Sequence, residues 1–245
     1  MSTSFAAGRH PAEIPEYPAS IVNRTLPFNY LVAIQEAIGC ACWGTDPSVG
    51  MLATAATRSR HVQLSRGKAE SLDFPTNHFD FVFSVGAIHH LLDRRRFFQE
   101  AVRVLRPDGK ACTVTDSEWV IRHRQPLAVC FPETVAAGLA RYPRLQDLRA
   151  EMRDSGFVEI EEMTVEFAYE LSDIRPFRAK AFSCLRLILE DAFQRGIARM
   201  EHDALAGSIP CVSRYTLVWG RKSIQAGLTP TGASGQPTAD PGSIH

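Results

Sequence analysis

The sequence predicts an α/β chain with a doubly wound, mostly parallel sheet. Three observations carry that expectation. Strand-like and helix-like segments alternate from about Leu26 to Thr115. The run Phe79-Asp80-Phe81-Val82-Phe83-Ser84-Val85 is almost continuously apolar, as suits a strand covered on both faces. After it, Asp93 to Leu105 puts Phe97, Phe98, Ala101, Val102 and Leu105 on one helical face, and Arg106-Pro107-Asp108-Gly109 stops that helix.

Taken in order, residues 1–20 form an irregular Pro- and Ala-rich segment. Pro11, Pro15 and Pro18 lack the N–H that a sheet ladder needs, so no central strand is expected there. The folded domain is placed at 21–222. From Leu26 to Ile38, Leu26, Tyr30, Leu31, Ile34 and Ile38 fall near one helical face, and Gly39 stops the helix. Cys40 to Thr45 reads as a short strand. Val49 to Thr57 reads as a helix with Met51, Leu52 and Ala55 inward, and His61 to Leu64 as the next strand. Lys110 to Thr115 is a further strand.

The second half is less regular. Residues 117–142 hold Trp119, His123, Phe131 and Tyr142 without a clear period. Leu145 to Ser155 is helical, Gly156-Phe157 turns the chain, and a strand runs from Val158 to Phe167. A helical stretch at about 174–205 separates it from a last strand, Cys211 to Trp219, and is far longer than hairpin loops are. It is read as a helical cap. Residues 223–245 are Gly-, Pro-, Thr- and Ser-rich and are expected to be a disordered tail.

Twenty-seven basic and twenty-seven acidic residues cancel, so no electrostatic footprint for nucleic acid is present. The run Arg94-Arg95-Arg96 is read as a solvated helix face. Six cysteines form no CxxC pair and no zinc spacing, and read as small core hydrophobes; Cys40 and Cys42 would point the same way on a strand. No metal site is expected. No run approaches the ~18 apolar residues of a membrane helix, and no signal peptide opens the chain, so a cytoplasmic location is expected.

Five ordered segments carry a resemblance. They are Gly44-Thr45-Asp46-Pro47-Ser48, Gly67-Lys68-Ala69-Glu70-Ser71-Leu72-Asp73-Phe74-Pro75, Phe79 to Ser84, His89-His90-Leu91, and Val104 to Gly109. In this order and spacing they resemble the class I S-adenosylmethionine-dependent methyltransferases, in the branch that acts on small molecules. The resemblance spans roughly 25–167 and implies a seven-stranded, Rossmann-like sheet, S-adenosylmethionine as cofactor and a small-molecule methyl acceptor. It implies no nucleic acid or membrane partner; a homo-oligomer is compatible with it. One element departs from the family. The glycine-rich turn that should precede the first helix is missing, since no glycine lies between Gly8 and Gly39. The expectation is a sheet lacking its regular first strand, and poor cofactor binding.

By the resemblance, Asp46 and Pro47 would meet the ribose; as a residue, Asp46 could equally cap the next helix. Met51 would pack on adenine or in the core. Lys68, Ala69 and Glu70 match the adenine-edge loop. Lysine cannot accept from an exocyclic amine, and Glu70 reads better as a brace for the loop. Ser84 and Val85 would lie at the methionine end. His89 and His90 are the candidate bases, or else packing and capping residues. Trp119 and His123, with the cap, would meet the acceptor. Two rival readings remain: a non-catalytic methyltransferase-like partner, and a metabolite-binding protein using the half-site at Asp46.

Overall fold

The computed structural model describes residues 18–22, 28–57 and 62–224. Its sheet has seven strands in the order β3-β2-β1-β4-β5-β7-β6. These are β1 Pro18–Val22, β2 Ala41–Asp46, β3 Val62–Arg66, β4 Phe79–Val85, β5 Leu105–Thr115, β6 Phe157–Leu171 and β7 Ile209–Lys222. β1 to β5 pair in parallel among themselves, while β7 is antiparallel to both β5 and β6.

The middle of the sheet corrects one expectation. The regular first strand is present: Pro18–Val22 lies between β2 and β4, with Ala19 opposite both Cys42 and Phe81. Pro18 takes the first position, where a strand tolerates a missing N–H, and the ladder proper uses the residues after it. Pro11 and Pro15 lie outside the described residues, as does the tail beyond Ile224.

Helices cover both faces. α1 Phe28–Ile38 and α2 Val49–Ala56 pack on one side, where Leu31, Cys42, Ala55, Phe83 and Cys112 are buried together. Tyr30 and Ile38, expected inward, are about half exposed, at 48% and 52%. Cys40 and Cys42 do point the same way, with their sulfurs 3.6 Å apart. All six cysteines are buried free thiols. α3 Arg94–Val104 and α7 Leu145–Asp154 cover the other side, where Phe79, Val82, Phe97, Phe98, Leu148 and Met152 form the main core. The α3 face is buried as its periodicity predicts. The arginines opening α3 do more than meet solvent. Arg94 forms a two-point pair with Glu151 on α7 (2.9 and 2.6 Å), and Arg95 meets Asp154. The stop at Arg106–Gly109 is an irregularity within β5: Phe79 pairs with Leu105, yet Phe81 pairs with Lys110.

The cap has two sources. α8 Arg175–Arg178, a 3₁₀ turn at Ser183–Arg186 and α9 Glu190–Leu205 come from the β6–β7 connection that was read as a cap. The segment 117–142 supplies the rest as α4 Glu118–Arg122, α5 Leu127–Cys130 and α6 Glu133–Arg141. α5, α8, the 3₁₀ turn and α9 close a third core around Phe131, Phe177, Leu185, Phe193, Ile197 and Met200. α9 lies so close to α5 that a Cβ at Gly196 would enter the Phe131 ring. No described helix is long and apolar enough to cross a membrane.

Candidate functional site

Open α/β sheets bind ligands beyond the carboxyl ends of their strands. Two cavities lie there. The first, about 360 Å³, is bordered by Pro47, by Lys68, Ala69 and Glu70, and by Ala87, His90 and Leu91. Its volume suits a small-molecule site.

Asp46 ends β2 beside this cleft and is fully buried. Its Oδ1 accepts from the Ser48 N–H at 2.7 Å. It is not the cap of α2: that role belongs to Ser48, whose Oγ accepts from the Met51 N–H at 3.4 Å. Asp46 does not itself border the cavity; its neighbour Pro47 does. Met51 is half-buried one turn into α2 and does not border the cavity.

The loop after β3 starts at Gly67, whose N–H donates to the Asp46 carbonyl. A Cβ there would sit 2.8 Å from the Thr45 methyl, so glycine permits the approach. Lys68 is exposed, Ala69 is buried in the main core, and Glu70 accepts from the Leu92 N–H at 3.2 Å. Glu70 thus bridges the two sides of the cleft. A second tie lies beneath. Glu100 on α3, 5% exposed, accepts from the Leu72 N–H at 2.8 Å and from Arg103. Arg103 donates in turn to the Leu72 and Phe74 carbonyls, both at 2.7 Å. The Arg103 hydrogen bonds hold the Glu100 carboxyl below its ordinary pKa. This network was not foreseen, although Glu100 and Arg103 stand at helical i,i+3 spacing, a readable pairing signal.

β4 ends at Val85, and Gly86 turns with φ +59°. Ser84 is buried and does not border the cavity, its hydroxyl donating to Thr113 Oγ1 at 3.3 Å, and Val85 packs with Phe81 and Phe83. A 3₁₀ turn, Ile88–His90, follows. His89 stacks on Tyr142 (4.0 Å between centroids), and the His90 ring lies tilted against it at 4.1 Å. Neither histidine caps α3, because Asp93 does so by accepting from the Arg96 N–H at 2.9 Å.

The second cavity, about 240 Å³, lies beneath the cap beyond the end of β5. Asp116, Arg124, Arg141 and Tyr142 border it, with Tyr169 and Tyr215 from the last two strands. Asp116 and Arg124 form an ion pair at 2.8 Å, largely shielded from water. Burial raises the Asp116 carboxyl above its ordinary pKa, opposed by Arg124 and by a hydrogen bond with Tyr142. Burial, with Asp116 nearby, pushes the Tyr142 hydroxyl up to about 12. His90 borders one cavity and Tyr142 the other, and His89 is in ring contact with both.

The structure places Trp119 and His123 outside this cavity. They stack on each other at 4.5 Å with Trp119 half exposed, and Arg214 lies over the indole at 5.4 Å. The segment reaches the cavity through Arg124, one residue on. No group of three or more His, Cys, Asp or Glu among the described residues is placed to hold a metal.

This sheet order, a buried acidic residue ending β2 and a cleft bordered by the loop after β3 define a class I, S-adenosylmethionine-dependent methyltransferase architecture. Residues 28–113 match the family described as methyltransferase domain. The demethylmenaquinone methyltransferase of Geobacillus sp. (strain WCH70) is 27% identical over 164 residues, 57% of this chain and 70% of that protein. The chloroplastic 2-methyl-6-phytyl-1,4-hydroquinone methyltransferase of Arabidopsis thaliana is 34% identical over 93 residues, covering 36% of this chain and 28% of that protein. Among solved structures, the YcgJ protein of Bacillus subtilis superposes with a TM-score of 0.54 at 18% identity, over 86% of this chain and 94% of that one. The Haemonchus contortus phosphoethanolamine N-methyltransferase 2, solved with S-adenosyl-L-methionine, gives 0.51 at 17% identity over 85% and 50%. At these identities the solved structures establish the fold.

Proposed function

We propose that the protein transfers a methyl group from S-adenosylmethionine to a small-molecule acceptor, with the nucleoside in the Asp46 cleft and the acceptor beneath the cap. The observation that carries this is Asp46, a fully buried carboxylate that ends β2, is held by the Ser48 N–H and precedes Pro47 on the border of the cleft. Its chemistry fits a ribose diol, and the backbone of Lys68-Ala69, tied down by Glu70 and Glu100, fits the edge of a base.

When bound, the cofactor supplies a methyl group on a sulfonium sulfur. Much of the rate then comes from holding the acceptor in line, which is the task of a closed cavity. The cap core and the Asp116–Arg124 pair hold that cavity in shape. Where the acceptor must lose a proton, Asp116 and the His89–His90 pair are the groups at hand. Trp119 and His123 brace the cavity from outside through Arg214, which borders it. A cytoplasmic location fits this role, and self-association is compatible with it.

A second reading is favoured by one observation. The link from β1 to α1, residues 23–27, reads Asn-Arg-Thr-Leu-Pro and has no glycine for close backbone approach to a cofactor. It casts the chain as a cofactor-free scaffold that serves another subunit. Calorimetric titration with S-adenosylhomocysteine separates the two. A micromolar dissociation constant that rises about 5- to 150-fold in Asp46→Ala, the roughly 1–3 kcal/mol of stranding polar partners, supports the first. No binding heat from the folded chain supports the second.

A further inference from the structure

The cavity beneath the cap is not electrically balanced. Three guanidinium groups border it, from Arg124, Arg141 and Arg214, against the single carboxylate of Asp116. Asp116 is engaged by Arg124 at 2.8 Å. Arg214 is paired on its outer side with Glu166, also at 2.8 Å, and donates to the His123 carbonyl. Arg141, at the end of α6, has no carboxylate partner among the described residues and donates to the Ser183 hydroxyl at 3.2 Å. Its charge is felt within the cavity, where it favours the ionised forms of Tyr142 and Cys184.

The walls are aromatic. Tyr142, Tyr169, Tyr215, Phe177 and Phe182 all border the space. Flat walls of this kind select flat ligands and hold them at low entropic cost. The volume, about 240 Å³, suits one substituted ring rather than a polycycle: an apolar cavity of roughly 150 Å³ already takes benzene. A planar guanidinium binds a carboxylate through two parallel hydrogen bonds, and an aromatic surround strengthens that contact by excluding water.

We propose that this cavity binds a single-ring aromatic carboxylate, with its carboxylate on Arg141 and its ring among Tyr142, Tyr169 and Phe182. This rests on the reading of the cavity as the acceptor site, and names the acceptor's chemical class. The ring of Tyr142 would then stand between the bound acid and the His89–His90 pair on the cofactor side.

The test pairs acids with neutral amides of nearly the same shape: salicylate with salicylamide, and phenylacetate with phenylacetamide. Binding to the full chain is measured by calorimetry and ligand-observed NMR. At least one acid should bind ten-fold or more tightly than its amide, and Arg141→Gln should abolish that preference. Arg141 is half-exposed, so the variant should fold, which a thermal melt checks. S-Adenosylhomocysteine is titrated separately into both proteins, and its affinity should not change with Arg141→Gln. Acid and amide binding equally, no acid binding, or a preference that survives in Arg141→Gln would each overturn the proposal. Acid binding without any S-adenosylhomocysteine binding would sink the methyltransferase reading and leave the anion site standing.

Discussion

Glu100 allows a quantitative test of how the cleft is built. Replacing it with alanine removes the acceptor for the Leu72 N–H and two contacts from Arg103, at 2.8 and 2.9 Å. Breaking a buried ion pair by removing one partner costs roughly 3–5 kcal/mol. Arg103 is one-third exposed and recovers some hydration, so the low end applies, at about 3 kcal/mol. For a domain of this size that is a fall in Tm of roughly 6–12 °C. Glu100→Gln keeps an acceptor but loses the charge, and should cost less. The pH dependence has a definite sign. The folded pKa of Glu100 is depressed by Arg103, so its stabilisation is fully present above the ordinary carboxylate range. It is lost as pH falls from about 4.5 through the lower folded value. Urea unfolding at pH 7 and again between pH 5 and 3 reads both effects. A loss under 0.5 kcal/mol in Glu100→Ala, or an acid-limb slope unchanged in Glu100→Gln, would refute the assignment of this network as the brace of the loop.

Gly196→Ala should destabilise the cap by about 1–3 kcal/mol, the usual cost of overpacking, because its Cβ would meet Phe131 and the Cys130 carbonyl; limited proteolysis should cut 172–208 sooner in this variant. Lys222, 4% exposed, donates to Asn77 Oδ1 at 2.8 Å and to the Leu105 carbonyl at 2.6 Å. Lys222→Met should cost about 1–3 kcal/mol in urea unfolding, since it strands both acceptors. Glu151→Gln should weaken the α3–α7 clamp by about 1 kcal/mol or less, because Arg94 is one-third exposed; a double-mutant cycle with Arg94→Met isolates the pair.

Periodicity revealed the elements that bury a continuous face. Phe79–Val85 and the α3 face were legible because most of their inward positions are apolar. β1 was not, since its reading rested on counting prolines, and the position of a proline decides its cost. Pro18 at the first position leaves the ladder intact. The cap was half legible. α9 has a helical period, but α4, α5 and α6 are too short to show one, and Phe131 joins them to α9 only in space. In the site, Asp46 and the Lys68–Glu70 loop came from ordered motifs along the chain. Asp116, Arg124 and Arg141 did not, because their meaning lies in a charge balance assembled from separate elements. Trp119 and His123 drew notice as conspicuous residue types, while the cavity uses their neighbours.

The sheet cannot close in the order in which it is synthesised. β1 leaves the ribosome first, yet one of its two partners is β4, with Ala19 opposite Phe81. Until Phe79–Val85 has emerged, β1 has only β2 to pair with, and one edge stays open. Long-range parallel pairing pays its loop-closure entropy before any contact rewards it. The cap helices from 175 to 205, by contrast, meet within one stretch of chain. Assembly therefore places fast local work in the β6–β7 connection and the slow step at the strand in the middle of the sheet.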